Sequence, residues 1–231
     1  MIKWFIGFDP VENGTYHVMS NSIIRHSSMP ISIAPVSLMN LQGILTRDRH
    51  PLQSNDFAFS RFLVPWMCDF KGWAIFSDCD MIVKDDPAKL WALRDESAVK
   101  VVHHNYVPEE DIKYLGTTQT KYFRKNWSSV VLWNCAHPAN RILTPDYINN
   151  ADGLDLHQFK FLKDEEIGYI PNHWNHLVGF DQYNNDAKLI HYTTGGPYFD
   201  EYRNCDYHQD WYKEKALSEI ILQTKDMKKD G

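Results

Sequence analysis

Nothing in this chain reads as a disulfide framework, a membrane span or a grip for nucleic acid. Its four cysteines, Cys68, Cys79, Cys135 and Cys205, include no C-x-x-C pair and no dense spacing. That pattern fits reduced thiols in a cytoplasm better than a stapled secreted scaffold. No apolar run reaches the length that crosses a bilayer, and the first, Trp4 to Phe8, is cut off by Asp9-Pro10. It is too short for a signal peptide as well. The formal net charge of −6 leaves no general basic surface, so non-specific nucleic-acid binding is not expected. Lys121, Arg124 and Lys125 nevertheless form a local basic patch. Repeats, low-complexity tracts and linkers are missing, and so is a glycine-rich loop after the first apolar run, which counts against a nucleotidyltransferase. These absences leave the expectation of one cytoplasmic α/β domain over residues 1–231.

What the chain does have is aromatic residues, 14% of the total with 8 Trp. They serve either a dense core or ring faces that stack on sugars and bases, and composition leaves both open. Trp4 to Phe8 reads as a first buried strand, Thr15 to Ser27 as a helix and Ile31 to Val36 as a second strand. Strand, helix, strand in about forty residues is the βαβ signature of a parallel sheet. Ser37 to Asn55 reads as a long loop, and Phe57 to Met67 as a helix weakened near its end by Pro65. Trp73 to Ser77 is a third strand that runs straight into Asp78-Cys79-Asp80. Asp86-Pro87 and Thr144-Pro145 are helix starts, with Ala98 to Val102, Val130 to Trp133 and Lys188 to Tyr192 as further strands. A last helix is expected from about Gln209 to Leu222.

In open α/β sheets, ligands bind beyond the carboxyl ends of the strands. Asp9, Asp78-Cys79-Asp80 and His191 all fall at such ends. In an extended triplet both carboxylates project to one face and Cys79 to the other. Two like charges held close call for a cation, a shared proton or free solvent. A hard cation such as Mg²⁺ uses one or two carboxylates, waters and substrate phosphates; an added imidazole from His191 shifts the preference toward Mn²⁺. An isolated D-x-D is commonly just a surface turn. Here the triplet follows Trp73-Ala74-Ile75-Phe76-Ser77 and precedes Met81-Ile82-Val83, a buried setting that favours a metal.

At this point the sequence resembles the family 8 glycosyltransferases of the GT-A fold. The resemblance runs in order along most of the chain: Asp9, a helix carrying Tyr16, Phe59 to Pro65 with Arg61, and Phe76-Ser77-Asp78-Cys79-Asp80. It continues through Asn126 to Asn134, Leu154 to Phe161, Pro171-Asn172-His173-Trp174-Asn175 and His191 to Tyr198. The resemblance implies a Rossmann-like, mostly parallel central sheet flanked by helices. It divides the chain into a nucleotide-binding half at about 1–100, a donor-sugar and acceptor half at about 101–208, and a C-terminal helix at about 209–225.

It also implies a reaction: transfer of a hexose, with retention, from a UDP-sugar (glucose or galactose) to a carbohydrate or other hydroxyl acceptor. The cofactor implied is Mn²⁺, or Mg²⁺, on Asp78, Asp80 and His191. Asp9, Tyr16, Arg61 and Asp78 would hold the nucleotide sugar, and Asn134 would border the transferred sugar. Asp155 or Gln158, with His157 between them, stands where the family carries an Asp-Gln pair that steadies positive charge at the anomeric carbon. The family's late lysine is replaced by Gly196, so Lys121, Arg124, Lys125 or Arg203, or the amides of Gly195 and Gly196, must meet the diphosphate. Trp127, Trp174, Tyr198 and Phe199 are candidates for a sugar platform, and His103-His104 for the acceptor cleft. Two other classes compete: a nucleotide-sugar-binding module without turnover, favoured by the missing lysine, and a haloacid dehalogenase-like phosphatase. The latter carries its D-x-D on the first strand.

Overall fold

The computed structural model describes residues 1–49, 53, 55–105 and 123–219. Among these residues, nine strands form two sheets. The larger contains β1 (Ile2–Gly7), β2 (Ile31–Val36), β3 (Trp73–Ser77), β5 (Val99–Val101), β6 (Val130–Asn134) and β7 (Ile167–Tyr169), in the order β2-β1-β3-β6-β5-β7. The pairs β1/β2, β1/β3 and β5/β7 are parallel. Strand β6 runs antiparallel to both of its neighbours, β3 and β5. The sheet is therefore mixed but mostly parallel. The smaller sheet joins β4 (Met81–Val83), β9 (Leu189–His191) and β8 (His176–Leu177), in the order β4-β9-β8.

Apolar content explains these strands. Ala74, Ile75 and Phe76 in β3 and Val130 to Trp133 in β6 are fully buried. A strand covered on both faces reads as a continuous hydrophobic run, and each buried Ile or Phe contributes about 1.5–3 kcal/mol. Helix α1 (Asn13–His26) buries Val18, Met19 and Ile23, with Ile24 left exposed. The Asp86 side chain caps α3 (Pro87–Trp91) by accepting from the Ala88 amide at 2.9 Å, and Thr144 caps α4 (Pro145–Asn150).

Three expectations need correction. Phe57 to Met67 is not one helix: Ser60–Leu63 forms a 3-10 turn, followed by the single-turn α2 (Val64–Met67). Pro65 sits in the first turn of α2, where its missing N–H costs nothing, so it starts a helix instead of weakening one. β4, β7 and β8 were not foreseen, being only three, three and two residues long. The last helix, α6 (His208–Ser218), ends within the described residues, earlier than Leu222. It docks on α1 through Arg25, whose guanidinium donates to both Glu214 carboxylate oxygens at 2.8 and 2.7 Å.

Candidate metal and nucleotide site

The register of the large sheet sets the place. Ile6 is level with Ser77, and Ser77 with Val130, while Val101 is level with Val131. Asp9, Asp78 and His104 therefore all follow strands that end at one edge. After β3 the chain bends at Cys79 and Asp80 and enters β4 in the second sheet. There Met81 pairs with His191, and the Tyr192 amide donates to the Asp80 carbonyl at 2.9 Å. Two residues more than a hundred positions apart are thus locked side by side by one ladder.

Among the described residues, Asp78, Asp80 and His191 form a group in which one ligand atom from each lies within 4.8 Å of the others. All three are buried, and His191 Nε2 stands 3.5 Å from an Asp80 carboxylate oxygen. The fully buried Cys79 between the two aspartates has its Sγ 3.9 Å from Glu12 Oε2. The two carboxylates do come together, although a bend replaces the extended backbone.

The hydrogen bonds around His191 fix its tautomer. The Ser129 hydroxyl donates to the Asn126 carbonyl at 2.6 Å, so its oxygen accepts from the Asn175 amide nitrogen at 2.8 Å. That leaves Asn175 Oδ1 to accept from His191 Nδ1–H at 2.9 Å. Nε2 is then the nitrogen that faces Asp80, and it offers its lone pair to a metal when the ring is neutral. A metal-ligating histidine is oriented in this way. Two carboxylates and one neutral imidazole suit a divalent ion with mixed oxygen and nitrogen preference, such as Mn²⁺, better than one that demands oxygen alone.

Arg61 is buried and committed. Its Nη1 donates to Asp78 Oδ1 and to the Ser128 carbonyl, both at 2.8 Å, and its Nε to the Phe57 and Ala58 carbonyls. Its direct partner is the Asp78 carboxylate. Breaking such a buried pair from one side costs about 3–5 kcal/mol, because the other charge stays desolvated.

Asp9 accepts from the Val11 amide with Oδ1 and from the Asp56 amide with Oδ2, each at 3.0 Å, and so pins two loops at the sheet edge. Tyr16 is half-buried, its ring edge-on to Phe8 at 5.5 Å.

Glu12 is a further member of the site that the sequence does not single out. It is buried, and its carboxyl accepts from the Tyr198 hydroxyl at 3.2 Å. Burial first, then the neighbouring carboxylates Asp80, Asp9 and Asp78, raise its pKa to about 8 against the opposing Tyr198 hydrogen bond. No spacing rule points to it, because its proximity to Asp80 is created by the turn after β1.

Several other candidates lie elsewhere or are already engaged. Asn134 is paired with Trp73 at the start of β3, at the edge opposite Asp78, so it does not border the cation cluster. The asparagine at the site edge is Asn126, whose amide reaches Thr193 Oγ1 at 3.5 Å. From α5 (Gly153–His157), Asp155 is drawn into a surface pair with Lys160 at 2.5 Å. Gln158 accepts from Arg124 through its backbone carbonyl at 2.9 Å. The residue of this segment beside Arg61 is His157, whose Nδ1 lies 2.8 Å from the Ser128 hydroxyl. Burial, then the charges of Arg61, Lys125 and Arg47, push His157 well below its ordinary pKa and keep it neutral.

The Gly195 amide donates to the Tyr192 carbonyl, which takes it out of any anion cradle. Gly195 has φ +140°, and a Cβ there would meet the Tyr202 ring at 2.5 Å; at Gly196 it would meet Tyr198 at 2.3 Å. Both glycines make room for rings. Arg124 is held by Asp164, and Arg203 by Asp200 on the surface. Lys125 is buried and close enough to His157 to lower its pKa, whereas Lys121 lies outside the described residues. Trp174 belongs to the core and is not a platform, while Trp127 is half-buried beside His103.

No family model matches the chain. Protein CDI of Arabidopsis thaliana is 43% identical over 218 residues, covering 91% of this chain and 84% of that protein. Among solved structures, the bifunctional glycosyltransferase WbbM superposes with a TM-score of 0.68 at 16% identity, over 93% of this chain. The glycosyltransferase GlyE of Streptococcus pneumoniae does so with 0.59 at 15%. The chain spans 49% of the WbbM chain and 60% of the GlyE chain. The galactosyltransferase LgtC, in complex with donor and acceptor sugar analogs, gives 0.54 at 10% identity, covering 96% of this chain and 98% of that one. These likenesses establish the GT-A fold. No helix among the described residues is long and apolar enough to cross a membrane.

Proposed function

This chain belongs to the family of Protein CDI and has the GT-A fold of glycosyltransferases, and on that premise we propose that it transfers a hexose from a nucleotide diphosphate sugar to a hydroxyl acceptor. The observation that carries the proposal is the Asp78-Asp80-His191 group at the strand-end edge, with His191 Nε2 facing Asp80. The donor is a UDP-hexose, glucose or galactose, and the transfer proceeds with retention in the cytoplasm.

Asp78, Asp80 and His191 would hold a divalent cation, Mn²⁺ in preference to Mg²⁺, which would supply Lewis-acid neutralisation of charge on the departing diphosphate. Arg61 holds Asp78 in position for that role. Asp9 and Tyr16 stand at the same edge for the nucleoside. Lys125, buried near His157, is the cation we assign to the diphosphate. His157 takes the place expected of Asp155 and Gln158 beside the transferred sugar.

One observation favours a second reading, a nucleotide-sugar-binding module with little turnover: the loop after His191 carries Gly195-Gly196 and no cation. Incubation with a panel of UDP-sugars in Mn²⁺, Mg²⁺ or chelator separates the two. Metal-dependent release of UDP is expected, and it should fall at least about 100-fold in Asp80→Asn with the fold intact. Donor-induced thermal stabilisation without any UDP release would point to the binding module. Full activity in Asp80→Asn would falsify the metal assignment.

A further inference from the structure

Three histidines in this region are more than nine-tenths buried: His104, His176 and His191. Two have clear partners. His191 Nδ1 is bonded to Asn175, and His176 Nε2 lies 3.1 Å from the Tyr207 hydroxyl. His104 differs: its Nε2 is buried with no hydrogen-bond partner among the described residues. A buried polar atom left in this state destabilises the protein, and native structures rarely keep one without a use.

The position of His104 suggests the use. It follows β5 at the same sheet edge as Asp78. Its backbone is held from two sides: the Trp127 indole N–H donates to the His104 carbonyl at 3.0 Å, and His103 stacks flat on the Trp127 ring at 4.1 Å. Burial, then the nearby imidazoles His191, His103 and His176, lower its pKa to about 3, so it is neutral at working pH. A neutral imidazole both donates and accepts, which suits a hydroxyl and gives no reason to attract a phosphate. His104 is not part of the group spaced to share the cation. It lies within electrostatic reach of His191, at the same sheet edge as the Asp78-Asp80-His191 group.

We infer that His104 is a donor-sugar-recognising residue, its buried imidazole hydrogen-bonding a hydroxyl of the transferred hexose. This rests on the proposed transferase reading of the site and adds to it the group that distinguishes sugar from bare nucleotide.

The test compares wild type, His104→Leu and His104→Gln by titration calorimetry with Mn²⁺ present, using UDP, UDP-glucose and UDP-galactose as probes. His104→Leu should bind UDP within about twofold of wild type and bind its preferred UDP-hexose about 10-fold more weakly. His104→Gln, which keeps a donor and an acceptor, should recover part of that loss. Without ligand, His104→Leu should melt at or above the wild-type temperature, since it removes an unsatisfied buried polar group. Equal weakening of UDP and UDP-hexose would mean a packing role, and unchanged UDP-hexose binding would mean no contact; either overturns the inference. If wild type binds neither UDP nor a UDP-hexose, the transferase reading itself falls and takes this one with it.

Discussion

The cation cluster depends on one amide. Asn175 is fully buried, and its side chain links the Ser129 hydroxyl to the His191 ring. Replacing it by leucine strands both groups and frees the imidazole to rotate or change tautomer, whereas aspartate keeps an acceptor for Nδ1–H. We therefore expect Asn175→Leu to weaken Mn²⁺ binding by about 10–100-fold while Asn175→Asp retains most of it. Mn²⁺ titration followed by electron paramagnetic resonance reads this directly, and equal loss in both variants would contradict the relay.

At this scale the sequence was legible where chemistry and setting coincide. Asp78 and Asp80 stand out because carboxylates between two apolar strands need a reason. Glu12 and Asn175 do not stand out, since one looks like a turn residue and the other's role lies in a partner 16 positions away. Asn134 misled because a flanking asparagine can lie at either end of a strand, and only pairing register tells which.

Elements bring these residues together. The ladder between β4 and β9 sets Asp80 beside His191, and the end of β4 is tied down again through Asp85. That carboxylate accepts from Lys89 at 2.7 Å and pairs with Lys188, just before β9, at 3.1 Å. Burial pushes the Asp85 pKa up, but hydrogen bonds from Lys89, the Asp86 amide and Lys188 outweigh it and bring it to about 2.

An acid with a depressed folded-state pKa stabilises the fold above its unfolded pKa of about 4 and loses that contribution as pH falls through the folded value. Asp85→Asn should therefore cost on the order of 1 kcal/mol at pH 7, allowing for partial solvent screening. The difference from wild type should shrink as pH falls from about 4 toward about 2. Urea unfolding at several pH values checks this, and a pH-independent difference would mean that packing, not charge, sets the effect. Strand β3 and the βαβ start could be read from apolar runs. The antiparallel insertion of β6 could not, because strand direction is decided by connections across the fold and not by local composition.

For the whole molecule, one sheet edge gathers Asp9, Asp78 and His104, and the second sheet carries His191 to meet them. Solved glycosyltransferases with 10–16% identity share the fold. At such distances, similarity is carried by a few motifs in order, which is why the fold class was readable while the substrate-facing loops were not. Residues that touch the sugar and acceptor come from several loops, each free to vary on a fixed scaffold.

The most direct test of the account is Mn²⁺ binding by the intact chain, titrated with and without UDP, in wild type and in Asp80→Asn and His191→Ala. One ion per chain is predicted, bound more tightly when UDP is present and lost in both variants, with circular dichroism unchanged. Undiminished Mn²⁺ affinity in either folded variant would contradict a shared cation at this site.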